Sequence, residues 1–181
     1  MGNLSAYQIV RSERIYSGKI IKLVKDQFRL RCAPEKLVTR ELVQHPGAVA
    51  ILPLVDSRHI VLLRQFRYAA KGNLWEIPAG TREAGESAIR CARRELEEET
   101  GFRARRIKFL TRFYLAPGIT NEVMSLFKAS DLVKGRKNLD HDEWIEHRVV
   151  SLAEACRMVE NGLIRDAKTM VGVLWQVCGK K

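Results

Sequence analysis

The chain has 181 residues, of which 46% are hydrophobic and 29% are charged, a balance typical of one globular domain with at most a small addition. Lys and Arg number 32 against 21 Asp and Glu, so the formal net charge is +11. Such a charge attracts phosphate-bearing ligands, although a generally basic surface would produce the same total. No apolar run approaches the ~20 residues of a membrane-spanning helix, so no membrane association is expected.

Cysteine usage and the first residues bear on the cellular compartment. Residues 1–10 lack the basic start and apolar stretch of a signal peptide. The four cysteines form no Cys-x-x-Cys pair, so neither a zinc site nor a disulfide framework is expected. Both observations favour the cytoplasm. RNA binding is not favoured, because the chain has no RRM, KH or zinc-finger signature and no basic run rich in aromatic residues.

Residues 1–45 are predicted to form a separate β-rich segment, followed by a second domain at 46–181. Their three predicted strands carry too few large apolar residues to bury a core alone. We therefore expect them to pack on the rest of their own chain or on a second subunit. The predicted strands are Tyr7–Val10, Lys19–Leu30 and Leu37–Val43.

The second domain alternates strands and helices. A helix at Ser87–Thr100 follows a segment, Leu74–Gly80, that we expect to be a loop with a free carbonyl at Ala79. The remaining predicted strands are Ala48–Val55, His59–Phe66, Arg105–Tyr114, Glu122–Lys128 and Trp144–Val150, and the remaining predicted helices are Leu152–Asn161 and Asp166–Val177. This order suggests an α/β/α sandwich around a mixed sheet.

The helix at Ser87–Thr100 carries an unfavourable charge pattern. Ala88, Ile89, Ala92 and Leu96 should share its buried face, and three glutamates lie together beside that face, Glu95, Glu98 and Glu99. Like charges at i,i+4 and anions at a helix C-terminus both destabilise a free helix. One explanation is a solvated helix with ion pairs such as Arg93–Glu97 and Arg94–Glu98. The other is a divalent cation such as Mg²⁺, held by carboxylate oxygens.

The spacing favours the cation. The segment from Gly80 to Phe102 fits the pattern Gly-x5-Glu-x7-Arg-Glu-U-x-Glu-Glu-x-Gly-U, where U is a bulky apolar residue. This segment resembles the Nudix box, the signature of hydrolases that cleave a nucleoside diphosphate linked to another group. The matching positions are Gly80, Glu86, Arg94, Glu95, Leu96, Glu98, Glu99 and Gly101, with Phe102 where an aliphatic residue is more usual.

Segments outside the box resemble one branch of that superfamily, the ADP-ribose pyrophosphatases. The segments are 45–49, 64–67, 75–80, 116–122 and 166–169. The resemblance implies the Nudix fold, a homodimer formed through the N-terminal strands, and hydrolysis of the diphosphate of ADP-ribose or related ADP-sugars to AMP and ribose 5-phosphate. GDP-sugar pyrophosphatases share much of this pattern, so GDP-mannose and other nucleoside diphosphate compounds remain alternative substrates.

The resemblance also implies roles for individual residues. The metal, Mg²⁺ or Mn²⁺, would be held by the Ala79 carbonyl, Glu95, Glu98 and Glu99, with Glu86 nearby and paired with Arg94. Glu98 and Glu99 would take part in catalysis through that metal. Two arginines at a strand end, Arg64 and Arg67, would bind the substrate, with Arg67 on the diphosphate and Glu122 on the substrate side of the pocket. Glu143, or Asp142 beside it, would orient the attacking water, although some relatives carry glutamate where this chain has His141.

A non-catalytic nucleotide-sensing domain is a further alternative. The intact set of box glutamates argues against it, because a sensor needs affinity and no activated water. A solvated acidic loop at 140–143 and a solvated strand end at 64–67 likewise remain alternatives to the roles proposed for those residues.

Overall fold

The computed structural model describes residues 6–138 and 144–179. Within them the chain divides into two compact units. The first takes the chain up to Pro46 together with Ala116–Glu122, and the second takes Gly47–Leu115 together with the chain from Val123 onwards. Among the residues described, no helix is long and apolar enough to cross a membrane.

The first unit is an antiparallel sheet of three strands in the order β1-β2-β3. These strands, all predicted from the sequence, are β1 at Tyr7–Ser17, β2 at Lys22–Leu30 and β3 at Ala33–Gln44. Every residue of β1 is exposed, and Val24 is the only buried hydrophobic side chain among the described residues of this unit. The sheet therefore has almost no core of its own.

The loop at Ala116–Glu122 belongs to this first unit although it lies far along the chain. Val43 N–H donates to the Ile119 carbonyl at 2.8 Å, and Asn121 N–H donates to the Val43 carbonyl at 3.2 Å. The backbone N–H of His45 donates to Asn121 Oδ1 at 2.8 Å. The end of β3 thus holds this loop through three hydrogen bonds.

The described residues of the second unit form two sheets and three α-helices. One sheet has the order β7-β4-β9-β8, with β4 parallel to β9 and antiparallel to β7, and the other has the order β10-β5-β6. The strands are β4 at Ala48–Pro53, β5 at His59–Arg67, β6 at Gly72–Glu76, β7 at Ala79–Thr81, β8 at Phe102–Tyr114, β9 at Val123–Lys134 and β10 at Ile145–Ser151. The helices are α1 at Ala88–Thr100, α2 at Leu152–Glu160 and α3 at Ala167–Cys178.

The central strand β4 is buried on both faces. Its alternate residues enter two different cores, because successive side chains of a strand point to opposite sides. Ala50 and Leu52 lie in a core with residues from α2 and α3, whereas Val49 and Ile51 lie in a core with residues from α1. Helices thus cover both faces of a mixed sheet, and the predicted α/β/α arrangement is confirmed.

Helix α1 begins and ends where the sequence predicted. Ser87 precedes it in extended conformation, and Gly101 ends it with φ of 73°, a value that favours glycine. One face prediction was wrong, since Ile89 is 44% exposed whereas Cys91 is fully buried. Residues two apart on a helix lie on nearly opposite sides. Cys91 packs its Sγ against the Thr81 carbonyl at 3.7 Å, which turns Ile89 outwards.

Candidate active site

Ala79 lies in a short strand, β7, where the sequence predicted a loop. Ile51 N–H donates to the Pro78 carbonyl at 2.8 Å, and Arg82 N–H donates to the Gly47 carbonyl at 3.1 Å. Ala79, which is paired with Ala50 in the register, therefore occupies a non-hydrogen-bonded position between these two ladder bonds. Its own N–H and C=O point away from β4, so its carbonyl is not used by this ladder.

Glu99 from α1 meets this outward edge of β7. The Ala79 N–H donates to Glu99 Oε2 at 3.1 Å, and the Glu99 residue is only 4% exposed. The N–H and C=O of one strand residue face the same edge, so the Ala79 carbonyl lies on the side where Glu99 approaches. Two oxygen ligands suited to a hard cation are thus brought together from residues 20 positions apart.

Glu95 packs against the next residue of β7. A Cβ on Gly80 would overlap the carboxylate of Glu95, so only glycine allows this approach. The glycine that opens the box pattern therefore has a steric reason. It lets a glutamate from α1 reach the backbone beside Ala79.

Arg94 lies among three carboxylates of the box. Its Nη1 donates to Glu95 Oε1 at 2.7 Å and to Glu98 Oε2 at 2.9 Å, while Nε and Nη2 bond to the two oxygens of Glu86 at 3.1 Å each. The expected pair between Arg94 and Glu86 is formed, and so is the i,i+4 pair with Glu98. One guanidinium is therefore shared among three negatively charged carboxylates.

The electrostatics of this group follow from those contacts. Hydrogen bonds from Arg94 lower the pKa of Glu86 from 4.5 to about 2, and the Arg94 pKa is raised in return. Burial, together with the charge of Glu86, raises the pKa of Cys91 to about 12. Cys91 is therefore a neutral thiol, and it packs beneath the carboxylates.

Glu97, the box residue outside the signature, is engaged elsewhere. The predicted pair with Arg93 is absent, because Arg93 donates to the Ala104 carbonyl at 3.1 Å. Glu97 Oε1 instead accepts from Arg103 Nε at 2.7 Å and from the Arg136 N–H at 3.1 Å. A pocket of about 350 Å³ lies at this end of α1, lined by Arg94, Glu97, Glu98, Arg103, Arg136 and Asn138.

Arg67, predicted to contact a diphosphate, is bonded to a buried glutamate. Its Nε and Nη2 donate to the two carboxylate oxygens of Glu76 at 2.8 and 2.6 Å. The pKa of Arg67 is raised by this bond and further by the charge of Glu99, so the guanidinium lies within electrostatic range of the box carboxylates. The bond with Glu76 does not use Nη1, whose two hydrogens remain for a ligand.

Glu76 has a second cationic partner. It is 2% exposed, and Lys168 Nζ donates to its Oε2 at 2.5 Å. Burial alone would raise the pKa of Glu76, but the hydrogen bonds from Arg67 and the charge of Lys168 outweigh burial and lower it. Lys168 Nζ also donates to Asp166 Oδ1 at 2.9 Å.

The first turn of α3 holds the segment between β6 and β7. Asp166 caps the helix by accepting from the Thr169 N–H at 3.0 Å. The Thr169 hydroxyl donates to the same carboxylate at 2.6 Å and accepts from the Ile77 N–H at 2.8 Å. The tetrapeptide Asp166–Thr169 is thereby connected to Glu76 and Ile77, the residues that lead to Ala79.

The structure does not bring the two predicted substrate arginines together. Arg64 and Arg67 lie three residues apart on β5 and therefore point to opposite faces. Arg64 is exposed and lines a different pocket, of about 380 Å³, with Phe66, Asn73, Trp144 and Glu146.

The remaining predicted site residues are Glu122, Asp142 and Glu143. Glu122 belongs to the first unit, where its carboxylate lies 3.8 Å from the Nδ1 of His45. Asp142 and Glu143, with His141, fall in the segment 139–143, which lies outside the residues that the structure describes.

The donors near Ala79 suit a hard divalent cation. In residues 6–138 and 144–179 no three His, Cys, Asp or Glu side chains are arranged as a ready metal cluster. The contacts of Arg94 give the reason, because its guanidinium bonds to Glu86, Glu95 and Glu98 and separates them. The residue set nevertheless fits, since one positive charge among three carboxylates leaves an excess of negative oxygen ligands beside a carbonyl not used by its ladder.

Sequence reasoning missed Glu76 and Lys168. Both lie in segments already quoted for their resemblance, 75–80 and 166–169. A charged residue between two large apolar side chains, Trp75 and Ile77, is most often exposed, and when it is buried it is paired. That signal, together with a lysine just inside a helix start, was the available hint of a buried ion pair.

Comparisons with known proteins place these features in a family context. Residues 44–171 match the family model described as NUDIX domain. The chain is 39% identical over 166 residues to an ADP-ribose pyrophosphatase of Bacillus subtilis (strain 168), covering 91% of this chain and 89% of that protein. It is 35% identical over 175 residues to a methanol dehydrogenase activator of Bacillus methanolicus, covering 96% of this chain and 94% of that protein.

A solved structure supports the fold. The protein described as "Crystal structure of ADP compounds hydrolase" matches with a TM-score of 0.80 at 23% identity, covering 98% of this chain and 95% of that chain, a likeness that concerns the fold alone. The resemblances that the sequence predicted, to the Nudix box and to the ADP-ribose pyrophosphatases, are confirmed by these comparisons.

Proposed function

This chain belongs to the NUDIX domain family, and from that premise we propose that it hydrolyses the diphosphate bond of ADP-ribose or related ADP-sugars, giving AMP and ribose 5-phosphate from ADP-ribose. The observation that carries the proposal is the meeting of Glu95 and Glu99 with Gly80 and Ala79 of β7. The likeness to an ADP-ribose pyrophosphatase over 91% of the chain supports the choice of substrate.

The proposed cofactor is a divalent cation, Mg²⁺ or Mn²⁺. The Ala79 carbonyl, Glu95, Glu98 and Glu99 would hold it, with Glu86 as a neighbouring carboxylate. A diphosphate resists attack because its own charge repels a nucleophile, and a bound cation supplies both charge neutralisation and an acidified water. Glu98 and Glu99 are thereby the catalytic carboxylates of the helix.

The remaining roles fall to the residues predicted from the sequence. Arg67, oriented by Glu76, would donate to the diphosphate through the nitrogen that Glu76 leaves unused. Arg64 and Glu122 would contact other parts of the substrate. Glu143, or Asp142 beside it, would orient the attacking water, a role that needs hydrogen-bond reach of the nucleophile.

A competition between two substrates tests the proposal. ADP-ribose and GDP-mannose are supplied at equal concentration with Mg²⁺, and the products are identified by mass. We expect preferential release of AMP and ribose 5-phosphate. Preferential consumption of GDP-mannose would assign the chain to the GDP-sugar branch and leave the metal chemistry in place. Consumption of neither would favour another nucleoside diphosphate compound or a nucleotide-sensing role.

The homodimer is proposed on the composition of the first unit. In this proposal residues 1–45 of the chain are the dimerisation segment, and residues 46–181 are the catalytic domain. Large apolar side chains of this unit are roughly half exposed in the single chain, namely Tyr7, Ile9, Val10, Ile15, Tyr16, Ile20 and Leu37. A second subunit would cover such a surface, since monomers rarely expose large apolar patches.

Sedimentation of the full chain at micromolar concentration tests this proposal. We expect a dimer, and we expect deletion of residues 1–45 to give a monomer or an aggregate that binds substrate poorly. A full-length chain that sediments as a monomer would contradict the dimer.

We also propose a cytoplasmic location. This proposal is supported only by the four cysteines, which are scattered along the chain and form no Cys-x-x-Cys pair.

A further inference from the structure

Glu76 is held by more cations than its burial requires. A bidentate arginine satisfies both oxygens of a buried carboxylate, and Arg67 already provides this bond. Lys168 nevertheless donates to Glu76 Oε2, and it is itself almost fully buried, with only 8% of the residue exposed. Desolvating a lysine costs free energy, so a second cation at this point calls for a reason.

The contacts of Lys168 give that reason. Its ammonium bridges Glu76 Oε2 and Asp166 Oδ1, and Asp166 is fixed as the N-cap of α3 by its bonds to Thr169. The Glu76 carboxylate is therefore fastened to the end of a helix rather than left to rotate with its own side chain. A planar guanidinium bonded through two nitrogens to a fixed carboxylate has a fixed plane of its own.

We propose that Lys168 is a positioning residue for the hydrolysis, acting through Glu76 to hold Arg67 in the orientation that binds the substrate diphosphate. This inference rests on the proposed function, because it takes Arg67 as the diphosphate ligand. It assigns a role to the segment Asp166–Thr169, which resembles the corresponding segment of the ADP-ribose pyrophosphatases. Binding groups held in place by a second set of bonds lose less freedom when the substrate arrives.

A double-mutant cycle between Lys168 and Arg67 tests the inference. The variants are Lys168→Met, Arg67→Ala and the two combined, each compared with the unaltered chain by kcat/KM for ADP-ribose. With Arg67 present, Lys168→Met should lower kcat/KM about tenfold or more. In the Arg67→Ala background the same change should lower it less than about twofold, because the group that Lys168 positions is gone.

A merely structural role would give a different pattern. If Lys168 only stabilised the fold, its removal would lower kcat/KM by the same factor in both backgrounds. Equal factors, or no fall with Arg67 present, would overturn the inference. Lys108→Met serves as the matched control, since it removes the same charge from an exposed position of β8, and it should leave kcat/KM unchanged.

A second variant guards against loss of folding. Lys168→Gln keeps a hydrogen-bond donor for Glu76 while removing the charge, so it should fold where Lys168→Met does not. Thermal unfolding of every variant is recorded first, and the cycle uses whichever substitution unfolds cooperatively. Lys168→Gln should still lower kcat/KM more with Arg67 present than in the Arg67→Ala background. Equal effects of a folded Lys168→Gln variant in the two backgrounds would count against the inference.

Failure of the inference is separable from failure of the proposed function. If the unaltered chain does not hydrolyse ADP-ribose, or if Arg67→Ala hydrolyses it normally, the proposed substrate or the role of Arg67 is wrong, and the inference falls with it. If both of those hold and the cycle shows no coupling, the role of Lys168 alone is wrong.

Discussion

Arg94 and Arg67 of the second unit are both bonded to carboxylates, but their surroundings differ in charge. Arg94 pairs with three carboxylates, Glu86, Glu95 and Glu98, so negative charge is in excess over this one guanidinium. Arg67 and Lys168 together face Glu76 and Asp166, so the charges balance. The first group is suited to receive a further cation, whereas the second already has as many cations as carboxylates.

This difference in charge balance determines which ligand each group can accept. An excess of carboxylates beside a carbonyl is a poor arrangement for stability, and it gains most from a divalent cation. A charge-balanced network around a buried carboxylate has no need of a further cation, but it holds its members in one geometry and leaves Arg67 Nη1 outside the bond with Glu76. Metal affinity is therefore expected from the Arg94 group and substrate orientation from the Arg67 group.

The largest expected effect comes from removing a proposed metal ligand, Glu99. Glu99→Gln keeps the shape of the side chain and removes the charge that a cation requires, so turnover should fall by about three or more orders of magnitude. The measurement is the rate of ADP-ribose hydrolysis at saturating Mg²⁺, with circular dichroism to show the fold. The matched control is Glu160→Gln on the exposed side of α2, and near-normal turnover in Glu99→Gln would refute the metal assignment.

The next effect concerns the balanced group. Arg67→Ala should reduce kcat/KM by roughly one to three orders of magnitude, about 1.4–4 kcal/mol of transition-state stabilisation. The fold should remain, because Glu76 keeps its bond to Lys168 when Arg67 is removed. The metal dependence of the remaining activity should not change, since Arg67 lies in the other group. A variant with normal kcat/KM would leave Arg67 as a structural residue only.

Much of the carboxylate group could be predicted from the sequence because its members lie close together in the chain. Glu86 to Gly101 fall on one helix and the turn before it, where the period of 3.6 residues fixes their relative positions. The box pattern added Gly80, and the structure supplies the steric reason in the approach of Glu95. Local periodicity and one spacing pattern were therefore enough to predict that these carboxylates lie close together.

The Arg67 group could not be predicted in the same way. Glu76 and Lys168 are 92 positions apart, and so are Ile77 and Thr169. No periodicity relates residues at such a separation, so only the packing of α3 on the second unit reveals the pair. The same holds for the loop 116–122, which joins the first unit through bonds to Val43 and His45.

The smallest expected effect is on the pH dependence of stability, through the carboxylate of Glu86. The pKa of Glu86 is lowered from 4.5 to about 2 by the hydrogen bonds from Arg94. A carboxyl whose pKa is lower in the folded state stabilises the fold above its unfolded pKa, and that contribution is lost as the pH falls through the folded pKa. The Arg94 group should therefore lose stability between pH 4.5 and about 2.

Glu86→Gln removes this titration while keeping an oxygen for Arg94. At pH 7 the variant should be less stable by about 1–2 kcal/mol, after allowance for solvent screening. Its free energy of unfolding should then fall less steeply with acid than that of the unaltered chain, because one fewer carboxyl takes up a proton on unfolding. Urea denaturation in chelator-treated buffer at several pH values between 7 and 3 measures both. Parallel profiles of unfolding free energy against pH would mean that the ion pair of Arg94 with Glu86 does not stabilise the fold. The contribution of Arg94 to stability would then come from its pairs with Glu95 and Glu98, and Glu86 could bind a cation at no cost to the fold.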